Sequence, residues 1–143
     1  MANLNLNLDD GRKKIYINKE KYGEDRVIYL NLSDINIFTR ADEAKKNIDK
    51  FLNDSLKASN SVDENIEMLK KTDKYIRDQV NYVFDYDVSD AVFGKTFAAA
   101  DVGGKIYIEA FFQAIMPMIE DKMKQYEEKT KKNISKYTDK YKK

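Results

Sequence analysis

The run Ile106–Ile119 reads Ile-Tyr-Ile-Glu-Ala-Phe-Phe-Gln-Ala-Ile-Met-Pro-Met-Ile, and no other stretch constrains the fold as much. Ile108, Phe111, Phe112, Ile115 and Met116 recur at steps of three and four, with Ile119 one turn further on. That spacing gathers them on one broad helical face. Glu109 is the only charge in the run, so the segment predicts a buried core helix against which the rest of the chain packs. It is too short and too interrupted to span a bilayer, which needs roughly 20 consecutive apolar residues. Pro117 falls inside it. A helix-internal proline forfeits the bond to the Gln113 carbonyl and costs roughly 3 kcal/mol. The helix is therefore expected to kink there, or to end near Met116 with a second helix beginning.

A chain of 143 residues fits one domain. At 36% charged and 42% hydrophobic, it combines a highly charged surface with enough apolar residues for a core. The net charge of +1 argues against bulk electrostatic binding to nucleic acid, which calls for a clear basic excess. No cysteine is present, so there is no disulfide, thiolate metal site or cysteine nucleophile. No histidine is present either, which removes Ser-His-Asp catalysis, most zinc sites and the usual proton shuttle near neutral pH. The first eight residues hold no basic region and no continuous apolar block, so they do not read as a secretion signal. These features predict a soluble, intracellular protein, and no cofactor is expected.

Leu4, Leu6 and Leu8 alternate with asparagines, the period of a strand with one wet face. Asp9-Asp10-Gly11 is a turn signal. Ile15 and Ile17 alternate again in Lys13–Asn18, Tyr22-Gly23 marks a second turn, and Arg26–Leu32 carries Ile28, Leu30 and Leu32 on one face. Two or three antiparallel strands follow, whose apolar face must lie on helices, since a lone hairpin is marginal in water. Ser33-Asp34 can cap a helix. From Ile35 and Phe38 the apolar steps continue through Ala41, Ala44, Ile48, Phe51, Leu52 and Leu56, with a break allowed near Arg40. Ser61-Val62-Asp63-Glu64 is a capping box opening a helix of about 23 residues marked by Ile66, Leu69, Ile76, Val80, Val83 and Phe84. Asp73 is the one flaw in that stripe. Ala91-Val92-Phe93 reads as a helical turn stopped by Gly94, and Lys95–Lys105 as a loop.

Beyond Ile119 the character changes. Residues 120–143 hold nine lysines against five acidic residues, a local surplus of +4 that leaves the remainder at −3. Met123, Tyr126, Thr130, Ile134, Tyr137 and Tyr141 form a narrow, aromatic-rich stripe on a long helix. Such a helix lies back on the domain, packs on a second copy, or waits for a partner. The expected fold is α+β: a small N-terminal antiparallel hairpin or three-stranded meander over 1–32, then a mainly helical body over 33–119. These form one folded domain, followed by a charged amphipathic helix over 120–143.

Motifs that would carry chemistry fail on their spacing. Gly94-Lys95-Thr96 imitates the end of a phosphate-binding loop, but Ser89 stands where its first glycine belongs and a helix precedes it. Asp85, Asp87, Ser89 and Asp90 suggest a calcium loop, but Asp90 and Thr96 occupy the positions that need glycine and glutamate. The pairs Asp9-Asp10 and Glu127-Glu128 show no sign of the cleft that carboxylate catalysis needs. The tyrosine-bearing basic tail has interleaved acids and no arginine, which weakens nucleic-acid binding, and its tyrosines in place of leucines weaken membrane-surface binding.

One set of residues goes further. Asp34-Ile35-Asn36, Arg40-Ala41, the run Val83–Gly94, Phe111-Phe112, Met116-Pro117-Met118-Ile119 and Lys136–Tyr141 stand in this order and spacing. Together they resemble the tail assembly chaperones of long-tailed phages and prophages of Gram-positive bacteria, from about Leu30 to the end. The resemblance implies a non-catalytic protein of the host bacterial cytoplasm, absent from the mature virion. It would bind the tape-measure protein, keep its helices soluble and help recruit the tail-tube protein. It also implies that a longer, frameshifted form can exist; that form or a second copy of the chain is a further expected partner. Met123, Tyr126, Ile134, Tyr137 and Tyr141 are then the expected partner face, since large aromatic anchors dominate such interfaces. The alternatives are a structural tail or head–tail joining protein of the virion, and a small nucleic-acid-binding regulator.

Overall fold

The computed structural model describes the backbone of residues 3–56 and 62–141 and the side chains of 3–55 and 65–133. The chain is α+β. A hairpin of β1 (Arg12–Tyr16) and β2 (Val27–Asn31) encloses a one-turn helix, α1 (Lys19–Tyr22). The long helices α2 (Asn36–Leu56) and α3 (Val62–Phe84) follow, then α4 (Ser89–Phe93), the miniature hairpin β3 (Asp101–Val102) and β4 (Lys105–Ile106), and α5 (Tyr107–Tyr141).

β1 and β2 are antiparallel, with Ile15 opposite Ile28 and Lys13 opposite Leu30. Ile28 and Leu30 are wholly buried, so one face of the hairpin rests on the helices as the alternation requires. Leu4, Leu6 and Leu8 form no strand. They are 97%, 83% and 76% exposed, and the sheet has two strands rather than three. Period two describes a segment able to form a strand, and no edge within this chain receives it.

α2 runs unbroken from Asn36, without the interruption allowed near Arg40. The Asp34 carboxylate accepts the Asn36 N–H at 3.0 Å, the capping role expected of Ser33-Asp34. α3 spans 23 residues and ends at Phe84, as its periodicity predicts. The capping box proposed at Ser61–Glu64 lies outside the described side chains. Ile76, Val80, Val83 and Phe84 are buried, whereas Ile66 and Leu69 are half exposed near the start of the same stripe. Only the C-terminal half of α3 therefore serves the core.

Ile108, Phe112, Ile115 and Ile119 are buried and join the one core cluster with Ile28, Leu30, Ala41, Ile48 and Val80. Phe111 stacks obliquely between Phe84 and Phe93, at centroid distances of 6.1 and 6.5 Å. α5 does not end at Pro117, and a single helix of 35 residues carries the apolar run into the charged segment. Pro117 is exposed, so its ring projects away from the core. Lys95–Lys105 carries the β3–β4 hairpin and is tied down at both ends. The Tyr107 and Ile108 N–H groups donate to the Ala100 and Ala98 carbonyls at 2.8 and 3.0 Å. No helix among the described residues is long and apolar enough to cross a membrane.

Candidate functional site

The chain turns sharply between β2 and α2, and that turn lies beside the second half of α5. Leu32, Ile35, Ile37 and Phe38 on one side and Ile119, Met123 and Tyr126 on the other line a groove of about 290 Å³. Its floor is built from core residues, since Ile37 and Ile119 are 4% and 2% exposed. Its lips are not. Ile35 is 43% and Tyr126 53% exposed, an uncommon placement for two large apolar side chains facing one depression.

Local sequence explains both lips. Ile35 sits between the capping Asp34 and the first residue of α2, so its side chain precedes the buried stripe of the helix. Lys122, Tyr126 and Lys129 follow at steps of four and three, which sets them on one strip of α5. Asp34 also lines the groove, but its carboxylate is engaged. It accepts from Arg40 Nη2 at 3.0 Å, while Arg40 Nε donates to the Val83 carbonyl at 3.0 Å. With that acid neutralised by an inward-facing guanidinium, Lys122 and Lys129 set the charge of the rim. An apolar floor, a tyrosine at the lip and a basic rim suit an amphipathic segment with acidic flanks.

Of the predicted partner face, Met123 and Tyr126 meet here, with Thr130 half-buried one turn further on. Ile134, Tyr137 and Tyr141 belong to α5, but their side chains lie outside the described residues. Sequence reasoning missed Ile35, Phe38 and the two lysines as groove residues. Ile35 and Phe38 read as the opening of a core stripe, and only the turn at 32–34 reveals that they face α5. Met123 and Tyr126 were legible from the spacing of the stripe, whereas Lys122 and Lys129 flank it and read only as part of the charged surface.

The rejected motifs have structural tasks. Gly94 ends α4 with φ 58°, and its carbonyl and that of Thr96 accept from Arg77 Nη2 at 2.8 and 2.9 Å. The Asp87 carboxylate accepts the Ser89 N–H and hydroxyl at 3.2 and 3.0 Å, a turn at the start of α4. Among the described residues no group of three or more acidic side chains is placed to hold a metal ion. No protein-family model, curated protein or solved structure matches the chain.

Proposed function

We propose that the chain is a tail assembly chaperone that binds the tape-measure protein in the host cytoplasm and helps recruit tail-tube subunits, without catalysis. The observation that carries this reading is the groove between residues 32–38 and α5, with Ile35 and Tyr126 exposed on its lips and lysines on its rim. A chaperone of long amphipathic helices needs apolar surface that it can lend and enough charge to stay in solution. α5 combines the two, because its first half anchors in the core while its second half carries the lysine surplus. The resemblance of Asp34–Asn36, Val83–Gly94 and Met116–Ile119 to the phage chaperones points the same way. In this reading a tape-measure helix lays its apolar face over Tyr126 and Met123, and acidic residues beside that face meet Lys122 and Lys129.

Co-expression with a tape-measure protein from the same genome tests the proposal. The tape-measure protein should be soluble and co-purify with this chain, and purified virions should lack the chain. Recovery of the chain from virions as a stoichiometric component would favour a structural tail protein instead.

A further inference from the structure

The β hairpin has two outer edges, and among the described residues only one is covered. The Ile17 N–H donates to the Arg26 carbonyl, which fixes the ladder so that the amides of Lys13 and Ile15 face β2 and those of Lys14 and Tyr16 face outward. On the far side of β2 the outward Tyr29 N–H donates to the Tyr86 hydroxyl at 2.6 Å, which closes that edge. No bond within the described residues occupies the outward amides of Lys14 and Tyr16. Beside this open edge lies an apolar groove of about 430 Å³, lined by Ile15 of β1, by Ile17 directly after it, and by Phe111, Ala114 and Met118 of α5. An open edge above an apolar trough is a template for one more strand.

The chain carries a segment of that description. Residues 3–8 alternate asparagine and leucine, pair with no strand among the described residues, and hold Leu4, Leu6 and Leu8 97%, 83% and 76% exposed. Strand geometry puts the three leucines on one face and the asparagines on the other, so one register covers the trough and keeps the amides wet. Charge agrees. Residues 3–10 hold Asp9 and Asp10 and no cation, while Lys13, Lys14 and Lys105 border the edge and trough.

The segment does not fold back onto its own β1. The Asp9 and Asp10 carboxylates accept the Gly11 and Arg12 N–H groups at 3.0 and 3.1 Å. Gly11, with φ 79°, lies so close to Ser33 that a Cβ there would overlap the Ser33 hydroxyl. The chain thus leaves β1 beside the end of β2, away from the open edge. We propose that residues 3–8 of one copy add as a strand to the β1 edge of a second copy, with Leu4, Leu6 and Leu8 seated between β1 and α5.

Sedimentation of the full chain over a range of concentrations tests this. The wild type should reach at least twice the single-chain mass of 16.7 kDa. The variant Leu4→Ser/Leu6→Ser/Leu8→Ser should stay at single-chain mass and, at dilutions where the wild type is single too, unfold at the same temperature, because those side chains are exposed in the single chain. Lys14→Pro takes away an outward amide and the Lys14 contact with the Tyr16 ring while leaving the Lys13 and Ile15 amides facing β2, so it should also stay single. An equimolar mixture of the two variants should regain association, since one supplies the arm and the other the edge. A wild type that stays single at every concentration would overturn the proposal. So would a triple-serine variant that associates as the wild type does, and that result stands even if Lys14→Pro fails to fold.

Discussion

The Asp73 carboxylate accepts the Ala98 backbone N–H at 2.9 Å, joining the middle of α3 to a loop 25 residues later. Its other oxygen accepts from Arg77 Nε at 2.9 Å, and Arg77 reaches on to the Gly94 and Thr96 carbonyls while lying 5.4 Å from the Phe93 ring centroid. One acid–base pair thus holds the whole turn after α4. Hydrogen bonds to charged groups contribute roughly 1.5–3 kcal/mol each, less where water reaches them. Asp73→Ala is expected to cost about 2–3 kcal/mol in urea unfolding, with an unchanged slope. Hydrogen exchange at Ala98 should rise alongside.

The Asp34–Arg40–Val83 link works at the groove in a similar way. Arg40 serves a carboxylate and a backbone carbonyl together, which needs the planar fork of a guanidinium. Arg40→Lys is therefore expected to recover little of the loss caused by Arg40→Ala, about 1–2 kcal/mol by chemical denaturation. Both variants release Asp34 at the groove wall, so acidic partner segments should bind more weakly to each.

Gly94 terminates α4 at φ 58° and ψ −129°, a backbone region that side chains avoid. A Cβ there would meet the Arg26 guanidinium at an ordinary 3.5 Å, so the penalty is conformational rather than steric. Gly94→Ala should destabilise the fold by about 1–3 kcal/mol, measured as a lowered unfolding midpoint.

Tyr82 donates its hydroxyl to a Glu43 oxygen at 2.8 Å, and this bond to a carboxylate raises its pKa above the ordinary value of 10.0. The folded chain then holds the phenolic proton more tightly than the unfolded chain does. The resulting stabilisation is present below the unfolded value and is lost as pH rises through the higher folded one. In ultraviolet titration the difference between wild type and Tyr82→Phe isolates this phenol, and Glu43→Gln should move that component to lower pH.

Period and capping made the main elements legible before any coordinates. The 23 residues of α3, the Gly94 stop and the buried face Ile108–Ile119 follow from side-chain spacing. What local pattern could not reveal was long-range pairing. Asp73 looked like a flaw in an apolar stripe because its partner besides Arg77, the Ala98 N–H, lies in a loop 25 residues later. The Leu4–Leu8 alternation announced a strand, but strand formation requires an edge, and none in this chain takes it. Pro117 suggested a break, yet a proline on the exposed side of a helix anchored by Ile115 and Ile119 does not end it. At the groove, Met123 and Tyr126 were readable as a stripe, whereas Ile35 and Phe38 join them only through the turn at residues 32–34.

The most direct test measures how much tape-measure protein stays soluble when co-expressed with wild type, Tyr126→Ala or Ile35→Ser, with the thermal unfolding of each variant recorded separately. Both side chains are about half exposed, so each substitution should leave unfolding within about 1 kcal/mol of wild type. The soluble tape-measure fraction should nevertheless fall several-fold. Equal solubilisation by all three proteins, or no solubilisation by the wild type, would contradict a chaperone that works through this groove.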